Sequence, residues 1–418
     1  MIKTLTSAFK NKDIRKKLLY TLMMLVVIRI GSLLPIPGVD TEYFSTLLSG
    51  FNSGDLSYLS AFTGGSFEKM SLFALSITPY ITSSIIMQLL TIAIPKLEEM
   101  QKEGEDGRKK IASITRYVTI ALALIESIAM AVGFGRQGLI KDYKDMSTIH
   151  YVTCIIVVVA ALTAGSAVLM WIGERITEKG VGNGISIVLL INIISGMPSD
   201  FVTLYSTFVA NKSIARGVTV AVIIAAIVIA VVVLVVILQD GERRIPVQYS
   251  QKVAGRKTIG GQATNIPLKV NTAGVMPIIF ASSIMQFPVI IVQLFTSNSY
   301  EWTKYLSQSY WCRVQMPKYS IGLLLYIILV VVFAYFYTSI TFNPVQIADN
   351  LKKAGGVVPG ITPGRSTSEY LNKILNYIVF IGAVGLMIVA LIPIMCTGFF
   401  NASVSFGGTS IIIIVGVV

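Results

Sequence analysis

Apolar residues in this chain gather into ten long runs, at 18–34, 71–94, 114–134, 151–173, 184–203, 217–238, 271–296, 319–341, 374–395 and 408–418. A helix needs about 20 such residues to cross the hydrocarbon core of a bilayer. Spanning backbone must satisfy its own polar groups, so runs of this length read as helices. The extreme case is Val218–Leu238, which is Val-, Ile- and Ala-rich and carries no charge. Only 13% of all residues are charged, about half the share expected of a soluble domain, which excludes that class. The last run is too short to cross alone, so further helix is expected beyond Val418.

The distribution of Lys and Arg orients these spans. With the N-terminus inside, the inner segments are 1–17, 96–116, 174–183, 239–270 and 342–373, and they hold 24 of the 34 Lys and Arg. The opposite loops hold 9, and Arg29, inside the first run, is the remaining one. Positive charge marks the cytoplasmic side, so the N-terminus is expected there. Residues 1–17 are basic and partly amphipathic (Ile2, Leu5, Phe9, Ile14) and read as a surface helix rather than a cleavable signal. The three cysteines, Cys154, Cys312 and Cys396, have no pairing pattern.

An internal repeat lies within the runs. Residues 79–88 read PYITSSIIMQ and residues 277–286 read PIIFASSIMQ, and Pro, Ile, Ser, Ile, Met and Gln match at a constant offset of 198. The first copy is the second run and the second copy the seventh, so five spans per half invert one half relative to the other. Inverted repeats put the working site at their interface near the midplane, where Pro or Gly breaks helices. The two proline-bearing runs are therefore the natural gate helices.

The usual signs of coupled chemistry are sparse. Buried ionisable residues mark ion and proton pathways, and here the runs offer Glu126 and Arg29, with Glu174 and Arg175 at a helix end. Gly355 and Gly360 have phosphate-loop spacing, but Ile361 follows where Lys is required. The single histidine, His150, stands in an outer loop. No cofactor, metal or enzymatic activity is expected, and any work must come from a partner. The inner segments 239–270 and 342–373 are long and basic, with Arg243, Arg244, Arg256, Lys257, Lys352, Lys353 and Arg365. Such surfaces suit RNA phosphates without sequence readout or an acidic face of a motor protein.

Motifs across nearly the whole chain resemble the SecY family of protein-conducting channels. They are RIGSLLPIPGVD (Arg29–Asp40), FTGGSFEKMSLFALSITPYITSSIIMQLL (Phe62–Leu90), KEGEDGRKKI (Lys102–Ile111), LMWIGERITEKGVGNGISI (Leu169–Ile187), PLKVNTAGVMP (Pro267–Pro277), NPVQIADNLKKAGGVVPGI (Asn343–Ile361) and FGGTSIIIIV (Phe406–Val415). The resemblance implies an all-α polytopic protein of the bacterial cytoplasmic membrane, with ten transmembrane helices in two inverted halves (18–203 and 204–418) around an hourglass pore. It implies SecE and SecG as fellow subunits and the SecA motor or the ribosome as driver. Signal sequences of client proteins and membrane lipid would meet it at the gate.

By the same resemblance, Ile77, Ile81, Ile185, Leu189, Ile279 and Ile413 form a constricting ring. Residues 55–70, with Phe62, Gly64 and Gly65, form a plug, and Thr82, Ser83, Glu126 and Asn271 lie at a lateral gate. An aliphatic collar closes by dewetting and yields to a passing chain without selecting its sequence. Three positions depart from the family: Thr362 stands where Arg is usual, Asn265 where His is usual, and Glu126 where a polar amide is common. Asn271, Thr82 and Ser83 are the expected partners of Glu126. Two other classes stay open on residues alone. An ion-coupled transporter would need clustered buried acids, and a poreless scaffold would not need proline-broken repeats.

Overall fold

The computed structural model describes residues 10–50, 63–140, 147–206, 214–249, 252–254, 257–259, 263–295, 300–313, 316–400 and 408–417. Helices dominate. The first half contributes α1 (Lys12–Leu33), α2 (Thr41–Gly50), α3 (Thr78–Ala93), α4 (Pro95–Lys102), α5 (Glu105–Phe134), α6 (Thr148–Lys179) and α7 (Gly184–Leu204). Then come α8 (Ile214–Asp240), strands β1 (Glu242–Tyr249), β2 (Lys252–Ala254), β3 (Lys257–Ile259) and β4 (Ala263–Lys269), and α9 (Met276–Phe295). The chain continues with α10 (Glu301–Leu306), α11 (Ile321–Thr341), α12 (Pro344–Lys353), β5 (Gly356–Val357), α13 (Arg365–Phe400) and α14 (Gly408–Val417).

Among the described residues, five helices are long and apolar enough to cross a membrane: α5, α6, α8, α11 and α13. A sixth crossing results if α3 and α4, bent by 101° at their junction, are one span. Helix starts follow local chemistry. Asn11, Asn183 and Asn343 each cap a helix by accepting from a backbone N–H two residues on, at 3.1 Å in all three. Pro79, Pro95 and Pro344 sit in the first turn of α3, α4 and α12, where a missing N–H costs nothing.

Several boundaries differ from the sequence expectation. Residues 12–17 of the basic segment continue without a break into the first span as α1, and residues 1–9 lie outside the described residues. The second run, expected to be helical from 71, is a series of turns up to Ile77, and its helix starts at Thr78. Met70 (φ 41°) and Ser76 (φ 53°) hold left-handed backbone there, which no α-helix can pass through. The last long helix starts at Arg365, well before 374.

The repeat extends into the backbone. Residues 270–275 are turns, as 72–77 are, and both helices start at the same repeat position, Thr78 and Met276. Ser76 has its mate in Gly274, also left-handed at φ 63°. The turn bonds match too: Ser76 N to Phe73 O and Gly274 N to Asn271 O, then Ile81 N to Ile77 O and Ile279 N to Val275 O.

Helices up to α7 pack mainly among themselves, as do those from α8 onward. The two groups meet most extensively at two seams, α5 against α9 and α7 against α14. One apolar cluster bridges them, reaching from Ile28 of α1 through Leu169 and Ile172 of α6 to Phe280 and Ile413.

The two inner segments fold as one unit. Strand β1 pairs antiparallel with β4 along its length (Ile245 opposite Ile266) and at its end with β5 (Gln248 opposite Val357). Ile245, Val247, Leu268, Leu351, Val358 and Leu371 close a core beneath this sheet. A small β element thus joins segments that the sequence left as independent loops.

Candidate functional site

Six aliphatic residues singled out in the sequence arrive from four elements. Ile77 and Ile81 come from the start of α3, Ile185 and Leu189 from the first turns of α7, Ile279 from α9 and Ile413 from α14. All six belong to the cluster that bridges the halves: Ile77, Leu189, Ile279 and Ile413 are buried, with Ile81 and Ile185 packed against them. The repeat explains part of this convergence, since Ile81 and Ile279 occupy one position of the repeated unit. Aliphatic side chains cannot replace a hydration shell, so such a cluster resists both water and ions.

Leading into the cluster is a run of turns from Thr63 to Ile77, largely buried except for Glu68 and Lys69. Phe67 stacks edge-on with Phe44 of α2 and Phe134 of α5, at centroid distances of 5.8 and 6.4 Å. Gly64 (φ +62°) abuts α7, where a Cβ would stand 2.6 Å from Ser195 Oγ and 2.8 Å from the Asn192 carbonyl oxygen. Only glycine fits that approach. Gly65 is also left-handed but faces open space, and Phe62 lies outside the described residues.

A polar thread runs through this region. Arg29 Nη1 donates to Ser195 Oγ at 2.8 Å, and Asn192 Nδ2 donates to Ser76 Oγ at 3.0 Å. Ser76, Asn192 and Ser195 were not anticipated from sequence. A non-glycine residue at the repeat position of Gly274 was the available signal for Ser76.

The residues expected at a lateral gate separate into two outcomes. Ser83 meets Thr119 of α5, hydroxyl to hydroxyl at 2.5 Å and fully buried. Thr82 bonds to the Thr78 carbonyl of its own helix at 3.1 Å. The expected contacts of Glu126 are not made. Asn271 is buried with neither amide atom partnered, and Glu126 makes no hydrogen bond or ion pair among the described residues. The reason is longitudinal: Thr119 is the α5 residue level with Ser83, and Glu126 lies seven residues, about 10 Å of helix, further along.

Of the basic residues, Arg243 and Arg244 are exposed on β1, with Arg244 paired to Glu242. Lys352 and Lys353 are exposed in the last turn of α12, and Arg365, at the start of α13, pairs with Glu369 at 3.0 Å. The shared sheet brings these five onto one unit. Lys257 lies on β3, and Arg256 is outside the described residues.

Residues 71–418 match the family model named SecY. A relative from Streptomyces galbus, "Protein translocase subunit SecY", is 41% identical over 432 residues, covering 100% of this chain and 95% of its own length. Among solved structures, a SecY protein described as having a plug domain that stabilises the closed state of the translocation channel and maintains a membrane seal aligns with TM-score 0.61. The alignment is 17% identical and covers 96% of this chain and 90% of that one. A Sec61 from the canine ribosome–channel complex of the endoplasmic reticulum aligns with TM-score 0.58, at 18% identity and the same coverage.

Proposed function

The chain belongs to the SecY family, is a channel subunit of a Sec protein translocase rather than an enzyme, and we propose that it conducts unfolded polypeptides through the aliphatic cluster between its two halves. The observation that carries this reading is the meeting of Ile77, Ile81, Ile185, Leu189, Ile279 and Ile413, from four elements of both halves, in one cluster. A polypeptide in transit would push these side chains apart, and they would close behind it without hydrogen bonds to break.

The reading extends to ten spans in inverted halves, in a bacterial cytoplasmic membrane with the N-terminus in the cytoplasm. Residues 55–70 act as the plug, of which Thr63 to Met70 are among the described residues. Helices α3 and α9, with α5 and α11 beside them, part to release apolar segments into lipid, where each residue partitions by its own transfer energy. SecE and SecG complete the complex. SecA or the ribosome engages the sheet-based inner unit through Arg243, Arg244, Lys352, Lys353 and Arg365.

The test is reconstitution of the chain with its co-purifying subunits into vesicles. Addition of SecA, ATP and a precursor carrying a signal sequence should yield protease-protected precursor; none in any orientation would sink the reading. Charge reversal at Arg243 and Arg244 should weaken ribosome binding, and wild-type binding should fall steeply with salt. Binding indifferent to both would return these residues to topological bias alone.

A further inference from the structure

A guanidinium inside a spanning helix is costly, and Arg29 is half-buried on α1 with one hydrogen-bond acceptor among the described residues, Ser195 Oγ of α7 at 2.8 Å. That hydroxyl stands between two carbonyl oxygens, Asn192 at 2.8 Å on its own helix and Gly64 at 3.4 Å on the turn run. Because Arg29 occupies a lone pair of Ser195, the hydroxyl proton is left to the two carbonyls. Donation from a charged group also strengthens the bond that the hydroxyl makes onward.

Gly64 is where the turn run meets α7, and it touches backbone there at a distance that tolerates no side chain. From Phe67 onward the same run is anchored by aromatic packing. The Gly64 end has the hydroxyl instead, a contact that one side-chain rotation makes or breaks.

Resting on the reading of Thr63–Met70 as a seal, we infer that Arg29 and Ser195 form a clasp that holds the seal at Gly64 through a hydroxyl shared between Asn192 and Gly64, and that opening proceeds when the Gly64 carbonyl withdraws and the hydroxyl donates to Asn192 alone. Arg29 is a positioning residue that acts through Ser195. The clasp couples α1 and α7 to the seal, so a displacement of either helix loosens it.

The test uses the purified complex in planar bilayers, with resting ion conductance as readout and thermal unfolding as a check on folding. Ser195→Ala, Arg29→Leu and Gly64→Ala should each raise resting conductance, by about tenfold for the first two, as for loss of a hydrogen bond to a charged group. The double variant Arg29→Leu with Ser195→Ala should be no leakier than the worse single. Arg29→Lys and Ser195→Thr, which retain a donor and a hydroxyl, should stay near wild type. Ser199→Ala, one turn along α7, is the control expected to change nothing. Arg29→Leu removes a charge from the membrane, so its unfolding temperature should not fall. Additive leaks, or leaks that track lowered unfolding temperature, would overturn the clasp. Deletion of Thr63–Ser66 separates the two readings. A leaking deletion with tight Arg29→Leu and Ser195→Ala variants refutes the clasp alone, and a tight deletion refutes the seal and the clasp together.

Discussion

The α3 and α9 units share a turn, a proline start and six residues in ten, yet they are held in different ways. In the first, Ser76 takes the left-handed position and is tied to Asn192, and Ser83 is tied to Thr119. In the second, Gly274 takes that position, and the mates of Thr82 and Ser83 are Phe280 and Ala281, both buried. Phe280 packs edge-on against Phe333 and Tyr337 of α11, at 5.7 and 6.3 Å. What precedes the turn of each unit differs as well: a further run of turns for α3, the strand β4 for α9. One backbone solution thus serves two environments. In a membrane, where lipid is as apolar as leucine, hydroxyl ties and close packing replace the hydrophobic effect as the means of holding helices together.

Four measurements break or sharpen this comparison. The largest effect is expected at the shared isoleucine. Ile81→Ser combined with Ile279→Ser should raise resting conductance by an order of magnitude or more, because a hydroxyl in each copy wets the collar. If the copies contribute equally, the singles leak alike, whereas a leak confined to one of them would show that symmetry stops at the backbone. An unchanged double variant would remove both residues from the seal.

Glu126, on the helix that meets both units, comes next. A carboxylate without a hydrogen-bond partner burdens a span, so Glu126→Leu should stabilise the protein in detergent by about 1–3 kcal/mol. Glu126→Asp should bring no gain. A lower unfolding temperature for the Leu variant would mean that the carboxylate has a partner in the working complex.

Gly274→Ser makes the second unit resemble the first. A Cβ there meets open space, so only the left-handed backbone resists, and a loss of about 1–2 kcal/mol is expected from thermal unfolding. A much larger loss would reveal a contact that the first unit does not need. Finally, Ser83→Ala makes the first unit resemble the second. It should cost about 0.6 kcal/mol, typical of an interhelical hydrogen bond in a membrane. Thr119→Val should cost the same, and a cycle with both changes should show that the two losses are one interaction.

Part of the fold was legible in the residues alone. Uncharged runs specify spanning helices because bilayer thickness sets their length. The repeat pointed to α3 and α9, and Ile81 and Ile279 could be paired from the offset alone. Covalent neighbours also determined the caps at Asn11, Asn183 and Asn343, since a side-chain oxygen two residues from an unsatisfied N–H needs no tertiary partner. The rest depended on residues far apart in sequence. That 71–77 is a run of turns follows from left-handed Ser76 and Met70, and nothing local demands that conformation from a serine or a methionine. The sheet joining residues 242–269 to 356–357 requires α11 and α12 to bring its last strand back. The absence of a partner for Glu126 is a matter of helix registration, fixed where Ser83 and Thr119 meet. The contact of Arg29 with Ser195 spans 166 residues. Sequence determines what a segment can do by itself in lipid, but which polar groups find one another inside the membrane is decided by helix packing, because each pairing needs two surfaces at once.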